Sequence, residues 1–182
     1  MRHGMRKALF TMVILALCVC GCGYTSRSLL PAEFKSVYVE NFANRISVAA
    51  ETSDARMYRG YRPGMEIGIT RAVIDRFLFD GNLKVARADD ADLVLKGELM
   101  DFTQESLQYD ANNNVEEYRI RLVVNLELKD AKTGKTVWRE NSFAGESTYR
   151  ATGALAKSES TGIEEATEDL ARRVVERTVE GW

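Results

Sequence analysis

One stretch decides what this chain can become. From Glu117 to Lys129, Ile120, Leu122, Val124, Leu126 and Leu128 alternate with Arg119, Arg121, Val123, Asn125 and Glu127. Side chains of a strand point to opposite faces in turn, so this segment is a β-strand with one dry face and one wet face. The dry face needs a second layer of structure over it, while a wet opposite face is the habit of antiparallel sheets.

The rest of the chain supplies partners and cover. Ser36 to Phe42 reads as a short strand with Val37 and Val39 on one face. Leu93 to about Ser106 places Leu93, Leu95 and Leu99 together, with Gly97 between them as a weak spot or bulge. Asp130-Ala-Lys-Thr-Gly134 has hairpin-turn chemistry with Gly134 at the left-handed position, and Thr136 to Tyr149 forms a further strand carrying Val137, Trp138 and Phe143. Leu83 to Arg87 is a short extended piece, followed by a polar turn with Asp89, Asp90 and Asp92. Two segments carry helical period instead. Met65, Ile69, Val73 and Phe77, widened by Ile67, Ile74 and Leu78, mark a helix from about Met65 to Phe79 that Asp80-Gly81-Asn82 stops. Ile163, Ala166, Leu170, Val174 and Thr178, flanked by Val175, Val179 and Trp182, mark another from about Ile163 to Gly181, capped by Ser160 or Thr161 with Glu164 and Glu165 in its first turn. The order of elements predicts an α+β two-layer sandwich, two helices packed on one face of a mostly antiparallel four-stranded sheet. The polar stretch from Ala43 to Pro63 reads as a long functional loop with Tyr58 and Tyr61 exposed.

The beginning of the chain has the parts of an export signal: Arg2, Arg6 and Lys7, then apolar Ala8 to Val19, then small Gly21. This apolar run spans about 18 Å as a helix against a hydrocarbon core of roughly 30 Å, so it reads as a cleaved signal rather than a membrane span. Val19-Cys20-Gly21-Cys22 resembles the lipobox of bacterial lipoproteins, which makes Cys22 the lipid-attachment residue. The competing readings are a soluble secreted protein and a zinc site of Cys18, Cys20 and Cys22. The zinc site fails because signal removal leaves one cysteine, too few to close a tetrahedron. The expected organisation is therefore a signal over 1–21, a tether over 22–35 and one domain over 36–182. Gly23 after the cysteine points, by the usual sorting pattern, to the outer membrane with the domain facing the periplasm. Without Arg2, Arg6 and Lys7, 22 basic side chains face 27 acidic ones, a balance that argues against a nucleic-acid partner.

Chemical motifs are scarce. Gly134-Lys135-Thr136 resembles the end of a phosphate loop, but Lys129 stands where that loop needs its first glycine and a strand follows instead of a helix. Asp110, Asn112 and Asn114 have calcium-loop spacing, yet Val115 and Arg121 occupy the positions of the required Gly and Glu. His3 leaves with the signal, so hydroxyls such as Ser142 and Ser147 have no histidine or thiol partner. The inventory predicts a protein that is not an enzyme, with no cofactor and no metal. The bare sheet face is more telling: Lys96, Arg119 and Arg121 would point outward and grip phosphate or carboxylate groups of an amphiphile or a partner protein, or simply solubilise the face.

Several short motifs, in order, resemble one family. Cys22-Gly23-Tyr24, Glu40-Asn41-Phe42, Pro63-Gly64-Met65-Glu66 with Ile69-Thr70, Phe77, Asp80-Gly81, Leu83 to Val85, Ala91-Asp92-Leu93, Gly97, Tyr118-Arg119, Asp130 with Thr133-Gly134, Trp138, Leu170-Ala171 and Trp182 are similar to the LptE family of lipopolysaccharide-assembly lipoproteins. The resemblance covers essentially the whole mature chain. It implies two helices against a four-stranded sheet, and an outer-membrane lipoprotein seated in the β-barrel LptD as plug and assembly aid, with lipopolysaccharide itself as a further partner. Asn44 to Arg62 is longer than the family pattern. The family carries no short catalytic signature, so no site beyond Cys22 transfers. The rival readings are a secretion-channel or oligomeric envelope-assembly lipoprotein, and a hydrolase acting on envelope polymers.

Overall fold

The structure, a computed structural model, describes residues 31, 33–47, 52, 53, 57–59 and 62–180. The signal region, Cys22, Tyr61 and Trp182 lie outside the described residues. In chain order the elements are β1 (Ser36–Val39), β2 (Ala43–Asn44), β3 (Thr52–Ser53), β4 (Met57–Arg59), α1 (Met65–Asp80), β5 (Lys84–Val85), β6 (Leu93–Tyr109), β7 (Val115–Asp130), β8 (Thr136–Arg150) and α2 (Glu159–Glu180).

The long alternating segment sits where its pattern requires. β7 pairs antiparallel with β6 on one side and β8 on the other, and Ile120, Leu122, Val124 and Leu128 have no exposure at all. Both helices lie on that dry face. α1 covers β1 and β5, α2 covers β7 and β8, and the two helices touch each other.

The sheet itself corrects the four-stranded, mostly antiparallel expectation. Eight strands form one mixed sheet. β1 runs parallel to both β5 and β6, and β2 runs parallel to β6. The reason is the connection: a chain that leaves β1, crosses the sheet through a helix and returns must come back in the same direction. The stretch from Ala43 to Pro63 is not a featureless loop either. It contributes β2, β3 and β4, and β4 pairs antiparallel with the upper part of β6 through Met57↔Glu105, Tyr58↔Gln104 and Arg59↔Thr103. Tyr58 is half-buried, its ring edge-on to Phe102 at 6.0 Å, rather than exposed.

Several local details differ from the alternation rules for physical reasons. Gly97 holds its register opposite Leu126, and the irregularity falls between Leu99 and Asp101 instead. What Gly97 provides is room: a Cβ there would stand 2.1 Å from the ring of Phe42. Phe42 is in turn fixed from the helix side, because its N–H donates to Thr70 Oγ1 at 2.9 Å while that hydroxyl donates to the Glu66 carbonyl at 2.7 Å. α1 buries Met65, Ile69, Val73 and Phe77 as its period predicts and stops at Gly81 in the left-handed region (φ 74°). Ile67 and Leu78, however, do not widen the core stripe; both are exposed.

α2 begins at Glu159, earlier than its apolar period indicates, and Ser158 rather than Ser160 or Thr161 accepts the N–H of Thr161 at 3.1 Å. The helix lies tightly on β8. A Cβ at Gly145 would come within 2.6 Å of the Leu170 backbone, Ser147 Oγ donates to the Gly162 carbonyl at 2.6 Å, and the outer edge of β8 is held by Asp169 and Arg173 through the Glu146 N–H (3.1 Å) and the Ala144 carbonyl (2.5 Å).

Gly145→Ala is expected to cost about 1–3 kcal/mol in urea unfolding, because helix backbone cannot step aside for a methyl group. Gly97→Ala is expected to be destabilising by a similar amount, because three ring atoms of the buried Phe42 would stand within 2.4 Å of the added methyl group. A cost near zero for Gly145→Ala would show that α2 does not rest on Gly145.

Candidate functional site

The wet face of the sheet is built by the same alternation that builds the core. Leu95 and Gly97 point inward, so Lys96 points outward; Ile120 and Leu122 are buried, so Arg119 and Arg121 stand on the outer surface of β7. Register sets their spacing. Arg119 and Arg121 are neighbours on one strand face, roughly 7 Å apart, whereas Lys96 lies opposite Glu127 and so is about 20 Å along the sheet from Arg121. The structure thus brings the two arginines together and leaves the lysine apart. Each cation has an exposed carboxylate beside it: Arg119 meets Glu105 at 3.9 Å, Arg121 meets Glu146 at 3.2 Å and Lys96 meets Glu40 at 2.9 Å. Exposed pairs of this kind are worth about 0–1 kcal/mol, so a phosphate taking two parallel bonds from a guanidinium competes with them on favourable terms.

The carboxylates elsewhere on the sheet act as fixed anions. Burial pushes Glu127 up, but hydrogen bonds from Thr136, Arg139 and Lys129 outweigh it and hold the group at about 2. Asp92 is held at about 2 chiefly by Lys132, then by the Lys35 N–H and the Ser36 hydroxyl. Asp92 is therefore no solvated turn residue. Its carboxylate accepts from Lys132 Nζ (2.9 Å), Ser36 Oγ (2.9 Å) and Lys35 N–H (3.1 Å), tying the start of β1 to β6 and to the β7–β8 hairpin. Asp110 accepts from the N–H groups of Asn112 and Asn114, both at 2.8 Å, and the Asn114 amide holds its carboxyl below the usual range. That geometry closes a turn and presents no ligand cage. Ser147 is occupied by Gly162, as described, and no cluster of three or more His, Cys, Asp or Glu stands ready for a metal among the described residues.

A second feature lies outside the sequence expectations. A groove of about 730 Å³ runs between α1 and α2, with Met65, Gly68, Ala72 and Phe79 on one wall and Ile163 and Ala171 on the other. The small residues Gly64, Gly68 and Ala72 recur every four positions along α1, and that spacing was the available clue. Arg62 closes one end, ion-paired to Glu159 and stacked against Tyr58 and Phe102 at 5.1 and 5.4 Å. No helix among the described residues is long and apolar enough to cross a membrane.

A family model described as LptE, lipopolysaccharide-assembly, matches residues 34–178. No curated relative matches the sequence. Among solved structures, a hypothetical protein from Chlamydia trachomatis superposes with a TM-score of 0.50 at 12% identity, over 80% of this chain and 95% of that one. The rare lipoprotein B from Shewanella oneidensis superposes with a TM-score of 0.42 at 18% identity, over 79% and 89%. The PelC dodecamer from Paraburkholderia phytofirmans gives 0.42 at 18% identity, over 81% and 93%. At such identities the likeness concerns the fold alone.

The Asp92 anchor has a pH signature. Its folded pKa lies below the unfolded one, so the stability it lends is present above about pH 4 and is lost as pH falls toward 2. Asp92→Asn is expected to lower stability at pH 7 by about 1 kcal/mol, less than the full shift implies because Lys132 is well exposed, and to flatten the acid limb of the stability curve. Unfolding midpoints from pH 7 down to pH 2.5 read this directly. An unchanged acid limb would remove Asp92 from the role.

Proposed function

We propose that this chain, which belongs to the LptE lipopolysaccharide-assembly family, is a lipid-anchored component of lipopolysaccharide export that works by binding and plugging rather than by catalysis. The observation that carries the reading is the family match, which runs from just before β1 into the last turn of α2. In this reading Cys22 bears the lipid after residues 1–21 are removed, and the anchor holds the domain on the periplasmic side of the outer membrane. The barrel protein LptD is the partner, and lipopolysaccharide is met on the wet sheet face. The charge pattern supports such a face. Arg119 and Arg121 sit side by side with weak, exposed ion pairs that a phosphorylated amphiphile can replace. Lys96 is a separate contact further along the sheet, fit for a partner protein or a second anionic group.

Detergent extraction of the tagged, lipidated protein followed by size exclusion and mass spectrometry tests the partner. A stoichiometric large β-barrel is the expected companion. A ring of identical copies, or a lone monomer, would remove the support for the export role.

Two substitutions test the details. Cys22→Ser is expected to release the protein from the membrane fraction and to abolish acyl mass on the mature N-terminal peptide. Arg119→Glu with Arg121→Glu is expected to weaken lipopolysaccharide binding roughly tenfold with an unchanged circular dichroism spectrum. Undiminished binding would make this face ordinary solvated surface.

A further inference from the structure

The pairing of β7 with β8 is interrupted at one place. Val124 pairs with Phe143 and Leu126 with Glu140, so two residues of β8, Asn141 and Ser142, stand opposite Asn125 alone. This is a β-bulge, and its second residue lies in the left-handed region, Ser142 at φ 56°. A serine is held there at a cost, because its Cβ crowds the following carbonyl. The Asn125 side chain does the holding: its Oδ1 accepts the Ser142 N–H at 3.0 Å. Bulges re-aim side chains, and strained residues gather where ligands are handled.

A concavity of about 310 Å³ opens at this bulge on the wet face of the sheet. Lys96 and Glu98 of β6, Asn125 and Glu127 of β7, and Arg139 and Asn141 of β8 line it. Each pair is two residues apart on its strand, so alternation carries all six side chains to one face. The charged members are already matched. Glu127 meets Arg139 at 2.5 Å and Lys129 at 3.2 Å, Lys96 meets Glu40 at 2.9 Å, and Glu98 meets Arg45 at 3.1 Å. The two amides are not. Asn125 has spent only its oxygen, and Asn141 makes no hydrogen bond among the described residues.

Charge and hydrogen-bonding capacity decide the class of ligand. Lys96 and Arg139 balance Glu98 and Glu127, so the lining has no net charge. A phosphate here gains two cations but faces two carboxylates, one of which, Glu127, stays ionised down to about 2. A divalent cation needs several free carboxylate oxygens, and those of Glu127 are taken, Oε1 by Thr136 and Arg139 and Oε2 by Lys129. What remains on offer is a pair of side-chain amides, groups that both donate and accept, beside a Glu98 carboxylate whose Oε2 takes no bond among the described residues. Neighbouring uncharged hydroxyl groups, each a donor and an acceptor, match that set. The volume stands at the small end of ligand sites and suits a single ring.

We propose that the concavity at the β7–β8 bulge binds a saccharide unit, with the Asn125 and Asn141 amides and the Glu98 carboxylate bonding its hydroxyl groups. The bulge sets the two amides opposite each other, and the surrounding ion pairs hold the rim in place. Asn125 is four residues along β7 from Arg121, about 13 Å, so this site is separate from the arginine pair. It goes beyond the export reading and does not depend on it.

The test uses the nitrogen-15-labelled mature chain from residue 22 with Cys22→Ser, which keeps the whole core between Val37 and Val179. Glucose, galactose, mannose and N-acetylglucosamine are titrated one at a time, followed by inorganic phosphate and calcium. At least one sugar is expected to shift the side-chain amide signals of Asn125 and Asn141 together and saturably, with a dissociation constant in the millimolar range. Phosphate and calcium are expected to leave both signals in place. Asn141→Ala, at an exposed position, should weaken sugar binding at least about threefold with an unchanged circular dichroism spectrum, and Glu98→Ala should do the same. Sugars that move neither amide, shifts produced by phosphate or calcium in place of a sugar, or variants that bind as tightly as the parent would overturn the proposal. Since the titration uses neither the barrel partner nor lipopolysaccharide, its failure and that of the export reading are told apart.

Discussion

The fold depends on one requirement: β7 is hydrogen-bonded along both edges and must keep a single face dry over its length. Its neighbours β6 and β8 are dry on the same face, so a broad apolar floor results, and helices are the elements available to cover it. Sixteen and 22 residues of helix reach about 24 and 33 Å, whereas the three strands run to about 50 Å. Cover therefore gives out toward the β6–β7 turn. Burial along β6 is complete at alternate positions up to Phe102 and then fades toward Tyr109. One end of the sheet is a packed body and the other is a thin ribbon.

Close approach is what seals the body. The Phe42 ring occupies the space above Gly97, and Leu170 occupies that above Gly145. In both places the absence of a side chain on the sheet lets an element of the other layer come down to van der Waals contact, which is how interiors reach their density. Thr70 joins this arrangement by satisfying the Phe42 N–H where no strand partner stands. Asp92 does the equivalent at the far end of β1, replacing a strand ladder with three charge-assisted bonds.

Much of this was legible in the sequence, and the omissions have identifiable causes. Ile120 to Leu128, the stripe Met65–Ile69–Val73–Phe77, the left-handed glycines at 81 and 134 and the stripe from Ala166 to Thr178 all declare themselves through spacing. Parallel pairing did not, because alternation carries no direction; the helix between Ser36 and Lys84 carried it, and a connection is read less easily than a pattern. β2, β3 and β4 are two or three residues long, too short for any period. The start of α2 was hidden because Glu159 to Thr161 are polar, and a cap is recognised by its hydroxyl rather than by its burial. Of the candidate site, alternation placed Arg119, Arg121 and Lys96 on the outer face, but register alone revealed that two of them are neighbours and the third is distant. The exposed side of α1 was misread because Ile67 and Leu78 have the same composition as a core flank. Composition cannot say whether such residues face a neighbour within the chain or one outside it.

The outer margin of β8 has a consequence beyond holding α2. A strand at the rim of a sheet offers a row of unspent peptide groups, an open invitation for another molecule to add itself as the next strand. Here Asp169 takes the Glu146 N–H and Arg173 takes the Ala144 carbonyl, so side chains occupy that row midway along the strand. Another strand cannot pair there without first breaking both bonds, so this stretch of the margin is closed to edge-to-edge association.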